Sequence, residues 1–329
     1  MDNKSVLTVK DLVKIYHTDQ KSFTAVDKIS FELGQGEILG LLGPNGAGKT
    51  TTIQMLLSTL TPTSGSITYF GKDFFKNRST CLQHVAFAST YINFPGDLTV
   101  DANLTIYGML YGLSRTETKH NIGLYLKTFD IENLRHKQTN TLSAGQKTRV
   151  MLCKAFLAHP KIILLDEPTA SLDPDIAHDV RKFILKQQEE RGLSMLFTSH
   201  NMDEVAYVCK RVLVLAHGKI IANNTPENLA SSVGISRVRL VVGDGLKRTI
   251  AYVTEKSLTY SLKERAIEIT IDEHKIADLL TGLAQAGVQY SEISIEKPSL
   301  EDYFLKVSLI KKEEQKEEKR EENKTGEPT

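Results

Sequence analysis

The sequence predicts an α/β protein with a second, small αβ domain appended, and three observations carry that expectation. Short β-rich runs alternate with helical patterns from the start of the chain to about residue 230. A glycine-rich loop, Gly43-Pro44-Asn45-Gly46-Ala47-Gly48-Lys49-Thr50, stands between an apolar run and a helical pattern. From about residue 235 to 308 a new and smaller αβ pattern begins.

Taken in order, Glu37 to Leu42 is a short apolar run leading into that loop, as expected of a buried parallel strand. Ile53, Leu56, Leu57 and Leu60 follow at helical spacing, so a helix is expected directly after the loop. Roughly residues 99 to 158 read as largely helical, with Tyr107, Leu110 and Tyr111 on one face and its two aromatics expected to pack in the core. Lys161 to Leu165 and Ser194 to Thr198 are two further buried-strand candidates, each ending in polar residues. Ligands of such sheets sit beyond the carboxyl ends of the strands. In the second pattern, Val238 to Val242, Ile267 to Ile271 and Ser291 to Ile295 read as strands, with a helix from Asp272 to Ala286. The expected division is residues 1–230, 235–308 and a charged tail over 309–329, where Lys and Glu alternate with almost no apolar residue and disorder is expected.

Composition narrows the function classes. The 329 residues include 41 Lys and Arg against 40 Asp and Glu, so nucleic-acid binding has no electrostatic support. No apolar stretch approaches the roughly 20 residues that span a bilayer, and no signal-peptide core follows Met1, so a cytoplasmic location is expected. Cys81, Cys153 and Cys209 are odd in number and widely spaced, and Cys81-x-x-His84 is half a metal site without a second pair; all three read as reduced thiols.

Three places bear chemistry. The loop from Gly43 to Thr50 fits the G-x-x-x-x-G-K-[ST] phosphate-binding pattern at every required position. Its glycines let consecutive N–H groups and the helix N-terminus face phosphate oxygens, while Lys49 adds positive charge and the Thr50 hydroxyl suits Mg²⁺. Asp166 closes an apolar run, where a carboxylate can hold that metal, and Glu167 beside it projects differently and can serve an attacking water as general base. His200 closes the later run, beyond the strand end where a ligand would sit.

A second glycine-bearing turn, Leu142-Ser143-Ala144-Gly145-Gln146, precedes Leu165-Asp166-Glu167-Pro168 and opens an apolar helix. With the phosphate loop, the Ser171-Leu172-Asp173-Pro174 turn and His200, it resembles the nucleotide-binding domain of the ATP-binding cassette (ABC) ATPases, over most of residues 1–230. The resemblance implies a P-loop NTPase fold of ABC type: a mixed sheet core, an antiparallel edge sheet and a helical subdomain. It implies ATP and Mg²⁺ as ligands, and a dimer, either of this chain or with a paralogous ABC subunit, in which Ser143, Gly145 and Gln146 of one chain cap the ATP on the phosphate loop of the other. Asp173 then links the two sites, Tyr16 stacks on adenine, Thr51 adjoins the nucleotide beside Thr50, and His200 holds the γ-phosphate or the attacking water.

Two positions depart from the family pattern. Ala144 replaces the first glycine of Leu-Ser-Gly-Gly-Gln, but it keeps its N–H and favours helix. Thr90 falls where a glutamine contacts the metal and senses the transport partner; its shorter reach predicts weak basal hydrolysis restored by that partner. Asp97-Leu98-Thr99-Val100, Asn103-Leu104 and Pro298-Ser299-Leu300-Glu301-Asp302-Tyr303-Phe304 resemble separate ATP-binding subunits of drug, antibiotic or polysaccharide exporters. The implied function is a Mg²⁺-dependent ATPase that closes as a dimer on a separate transmembrane permease, at the inner face of the membrane, with Tyr91 to Pro95 near the permease groove. An ATP-gated regulatory clamp with little hydrolysis, and a soluble ABC ATPase outside transport, are the alternatives.

Overall fold

The computed structural model describes residues 4–18, 21–89 and 94–307. The chain divides into two compact units, Met1–Thr225 and Pro226–Thr329.

The first unit carries, in order, β1 (Ser5–His17), β2 (Ser22–Gly34), β3 (Ile38–Leu42), α1 (Lys49–Leu56), β4 (Ser64–Tyr69), β5 (Lys72–Asp73), α2 (Arg78–Leu82), β6 (Val85–Ser89), α3 (Val100–Leu110), α4 (Arg115–Thr128), α5 (Ala144–Phe156), β7 (Ile162–Asp166), α6 (Pro174–Arg191), β8 (Ser194–Thr198), α7 (Met202–Val208), β9 (Arg211–Ala216) and β10 (Lys219–Asn224). An antiparallel sheet runs β2-β1-β4-β5, and a six-stranded sheet runs β10-β9-β3-β8-β7-β6. In the larger sheet β9, β3, β8, β7 and β6 are parallel, and only β10 pairs antiparallel, with β9.

The apolar runs read as central strands are buried along their whole length: every residue of β3, β7 and β8 is buried, as in strands covered on both faces. Leu7, Leu12 and Leu33 of the antiparallel sheet meet Leu39, Leu41, Leu164 and Leu196 of the parallel sheet, with Ile53 and Leu56 of α1 in the same core. Each such side chain contributes about 1.5–3 kcal/mol by leaving water. The helix after the phosphate loop stops at Leu56; Leu57 and Leu60 pack on the core from the turn beyond it rather than from the helix. Helix α6 has local signals at both ends, with Pro174 at its first position and Gly192 at φ 60° closing it in the left-handed conformation.

The aromatics Tyr107 and Tyr111 are only partly covered, and Leu110 on the same face is covered less still. Leu110 is 74% exposed, Met109 and Ile106 are exposed beside it, and Tyr107 and Tyr111 are half-buried. Helix α3 turns its other face inward, through Val100, Asn103, Leu104 and Gly108. Gly108 lies so close to Thr118 of α4 that a β-carbon there would fall 2.5 Å from it.

The second unit holds α8 (Pro226–Ser231), β11 (Ile235–Asp244), α9 (Leu246–Glu255), β12 (Thr259–Lys263), β13 (Ala266–Asp272), α10 (Ile276–Gln285) and β14 (Gln289–Glu296). Its antiparallel sheet runs β12-β13-β11-β14, and Val238, Leu240, Ile267 and Ile269 pack with Val253, Leu279 and Leu283 of the two longer helices. Helix α9 and strand β12 are additions to the elements expected from sequence. The Pro298 to Phe304 stretch acts as a helix start: Asp302 accepts hydrogen bonds from the Ser299 N–H and hydroxyl, its own N–H donates to the Ser299 oxygen, and its carboxylate pairs with Arg237.

Candidate nucleotide-binding site

The phosphate loop leaves β3 and enters α1, and its shape depends on two glycines. At Gly48, φ is +104° and a β-carbon would stand 2.6 Å from the Ala25 carbonyl oxygen; at Gly43 one would stand 2.5 Å from the carbonyl oxygen of Leu215. The first-turn N–H groups of α1 have no partners within the helix, so they and the helix dipole face outward as an anion cradle.

A cleft of about 470 Å³ opens over this loop, lined by Tyr16, Phe23, Ala25, Asn45, Gly46, Ala47, Gly48, Lys49, Thr50, Thr51, Asp166, Glu167 and His200. The structure thus brings residues from the ends of β7 and β8 together with the loop after β3. Gly43 and Pro44 do not line the cleft; their carbonyl oxygens accept hydrogen bonds from Lys49 Nζ at 2.5 and 3.2 Å. Burial holds the Lys49 ammonium below its ordinary pKa, against the opposing charges of Glu167 and Asp166.

Asp166 is fixed by sheet register. Ser89 and Thr198 stand opposite it on the two neighbouring strands; Thr198 Oγ1 donates to one carboxylate oxygen at 2.6 Å and Ser89 Oγ to the other at 3.3 Å. Each oxygen keeps a lone pair, and Thr50 lines the same cleft, so the donors are hard oxygens of the kind Mg²⁺ takes, with remaining positions left to water and phosphate. Among the described residues there is no cluster of three His, Cys, Asp or Glu that could hold a metal without such help.

Glu167 occupies a strained position, with φ +54° in a residue other than glycine. Its N–H donates to the Thr198 carbonyl at 3.1 Å, and the His200 N–H donates to its Oε2 at 3.2 Å. Oε1 is buried without a hydrogen bond, although His200 Nε2 stands 3.4 Å away. Burial pushes the Glu167 carboxyl above the usual carboxylate range; His200, its backbone N–H and Lys49 oppose this, while Asp166 adds to it. A carboxylate with one bare oxygen and a raised proton affinity is suited to accept a proton from water.

Tyr16 and Phe23 are cross-strand neighbours on β1 and β2, and both rings are exposed at one end of the cleft. Phe23 was not singled out from sequence, since only the strand pairing places it beside Tyr16. Ser143, Gly145 and Gln146, of the Leu142 to Gln146 signature turn, are not among the residues that line this cleft. Ser143 caps α5: its hydroxyl accepts from the Gln146 N–H at 3.3 Å, and the Gln146 side chain accepts from the Ser143 N–H at 3.1 Å. Gly145 packs against the 169–172 turn, and Asp173 is the exposed residue preceding α6. Thr90 and Tyr91 lie outside the described residues. Cys81, Cys153 and Cys209 are buried free thiols.

Known proteins resemble this chain in sequence and in fold. The family described as ABC transporter matches residues 26–170. The chain is 30% identical to the linearmycin resistance ATP-binding protein of Bacillus subtilis, over 87% of this chain and 94% of that one. It is also 30% identical to the bacitracin transport ATP-binding protein of Bacillus licheniformis, over 92% and 97%, and 32% identical to a Nod factor export ATP-binding protein of Paraburkholderia xenovorans, over 87% and 92%. Among solved structures, an ATP-binding subunit of an ABC transporter superposes with a TM-score of 0.64 at 27% identity, covering 76% of this chain and all of that one. A dimeric ATP-binding cassette in a post-hydrolysis state with ADP and Pi superposes at 0.63 with 22% identity, over 67% and 98%, and shares the fold.

Proposed function

Because this chain belongs to the ABC transporter family, we propose that it is the ATP-hydrolysing subunit of an exporter whose membrane-spanning chain is separate. The observation that carries the reading is the meeting of Lys49, Asp166, Glu167 and His200, from three strand ends, in one cleft over the phosphate loop. No helix among the described residues is long and apolar enough to cross a membrane, in keeping with a separate permease and a peripheral place at the inner membrane face. The names of the relatives support an exporter.

In this mechanism the backbone N–H groups from Gly46 to Thr51 receive the β- and γ-phosphates of ATP, and Tyr16 stacks on the adenine. Lys49 exchanges its two carbonyl contacts for phosphate oxygens, so its charge acts where negative charge grows during transfer. A Mg²⁺ held through Thr50 and Asp166 would, when bound, neutralise charge on the β- and γ-phosphates. Glu167 takes the proton of the attacking water, and His200 orients that water or the γ-phosphate.

The site is completed by a second subunit. Ser143 and Gly145 lie outside the cleft of their own chain, which supports their serving the ATP of another, with ATP closing the dimer and hydrolysis releasing it. The apolar residues exposed on α3, Met109 and Leu110, suit contact with the permease.

Purified chain should hydrolyse ATP, lose that activity with EDTA, and lose nearly all of it in Glu167→Gln. Chain recovered from gently solubilised membranes should carry a membrane protein with it. Turnover that survives Glu167→Gln undiminished would overturn the assignment of the base, and recovery with no membrane partner would overturn the transport reading.

A further inference from the structure

On the reading of this cleft as an ATP-hydrolysing site, we infer that Glu204 is a positioning residue: its buried carboxylate ties the turn that carries Glu167 to the turn that carries His200. Glu204 lies on α7 and is 2% exposed. One of its oxygens accepts a hydrogen bond from Thr169 Oγ1 at 2.5 Å, and the other accepts one from Ser199 Oγ at 2.6 Å. Thr169 stands two residues after Glu167, and Ser199 immediately before His200. A single side chain therefore holds both catalytic turns from behind.

Each arm of the clamp is fully engaged. The Ser199 oxygen, besides donating to Glu204, accepts from the Asn201 N–H at 3.1 Å. Asn201 in turn caps α7 by accepting from the Glu204 N–H at 3.1 Å, so the side chain of Glu204 and the turn at His200 are fixed to each other. On the other side, the Thr169 carbonyl accepts from the Leu172 N–H at 3.0 Å, which extends the hold to the turn that touches Gly145. Arg181 on α6 approaches Glu204 only to 3.9 Å, so the two short hydroxyl bonds dominate.

A buried carboxylate is costly unless its partners are well placed, as the two hydroxyl donors are here. What the carboxylate supplies is direction. Two short charge-assisted bonds point at hydroxyls on two different loops, and each loop carries a residue that lines the nucleotide cleft. Glu204 touches no substrate; it acts through Glu167 and His200.

The test uses the full chain and its Glu204→Ala, Glu204→Gln, Thr169→Val and Ser199→Ala variants. Nucleotide affinity is measured with a fluorescent ATP analogue, and kcat and KM with ATP. Glu204→Ala should keep affinity and KM within about twofold while kcat falls about tenfold or more, because the phosphate loop is untouched. Thr169→Val and Ser199→Ala should each lower kcat, and neither should add fully to the loss in Glu204→Ala. Glu204→Gln, which keeps an acceptor and the volume, should recover part of kcat. If Glu204→Ala does not fold, Glu204→Gln and the two hydroxyl variants carry the same comparison.

Wild-type kcat in Glu204→Ala, equal losses in affinity and turnover, or strictly additive effects of the three positions would overturn the clamp while leaving the ATPase reading intact. Absence of turnover in the wild-type chain, both alone and in membranes with its partner, would overturn both.

Discussion

The carbonyl oxygen of Ser171 lies 2.9 Å from the point that a β-carbon on Gly145 would occupy. The glycine of the signature turn is thus required by its own chain, before any second subunit is considered: the loop between Glu167 and α6 rests directly on the first turn of α5. Gly145→Ala should displace that loop, lowering ATPase turnover about tenfold with nucleotide affinity unchanged, because the phosphate loop is not disturbed. Steady-state kinetics beside a nucleotide titration check this, and unaltered turnover would mean that the loop accommodates the methyl group.

Gly48 should tolerate substitution still less. Its φ of +104°, and the Ala25 carbonyl oxygen 2.6 Å from where a β-carbon would stand, both oppose any side chain. Gly48→Ala is expected to lower stability by about 1–3 kcal/mol and to abolish ATP binding, since the cradle cannot close around phosphate. Thermal unfolding and nucleotide titration of the same preparation read the two effects separately.

The raised proton affinity of Glu167 gives a pH signature. A general base works deprotonated, so kcat should fall as pH drops through a pKa above the usual carboxylate range, with His200, Asp166 and Lys49 as the neighbouring charged groups. The same shift affects stability with a definite sign: a carboxyl whose folded pKa is raised contributes stability below its unfolded value, and that contribution is lost as pH rises through the folded one. The residual turnover of Glu167→Gln should therefore lack this acid limb. The variant should also unfold at higher temperature than the parent chain near neutral pH, with the gap narrowing in acid. Thermal scans across pH check the second half.

These two glycines and this carboxylate also indicate how far the sequence could be read. The ends of β3, β7 and β8 are legible because a buried parallel strand is an unbroken apolar run, and the residues that follow it are the ones aimed at a ligand. Phe23, Ser89 and Thr198 are not legible in that way. They reach the site through strand pairing, Phe23 across an antiparallel pair and the other two by register beside Asp166, and a single sequence holds no signal for register between distant strands. Helical spacing marks the face of Tyr107 and Tyr111 without saying how fully it is covered: both are only half-buried, α4 comes close at Gly108, against Thr118, and Leu110 stays exposed. Strand β12 escapes notice because all five of its residues are exposed and it lacks the burial pattern that marks a half-buried strand.

In the second unit, Asp302 offers a stability test. Burial alone would raise its pKa, but the hydrogen bonds from Ser299, followed by the Arg237 charge, hold its carboxyl below the ordinary value. A lowered folded pKa means that the stability it contributes is present above the unfolded value and is lost as pH falls through the folded one. Asp302→Ala should cost about 1–2 kcal/mol at neutral pH, seen as faster hydrogen exchange over residues 300–307, and that cost should shrink in acid.

The central claim is that Ser143 and Gly145 serve the ATP held by another subunit, and mixing two inactive chains tests it most directly. Lys49→Ala removes the phosphate-loop cation, and Ser143→Arg blocks the signature turn; each alone should be inactive. If sites form between subunits, a mixed dimer pairs the intact loop of one chain with the intact signature of the other, so an equal mixture should regain about a quarter of the wild-type rate. If each chain used its own loop and its own signature, no intact pair could form, and a mixture as inactive as its components would contradict the account.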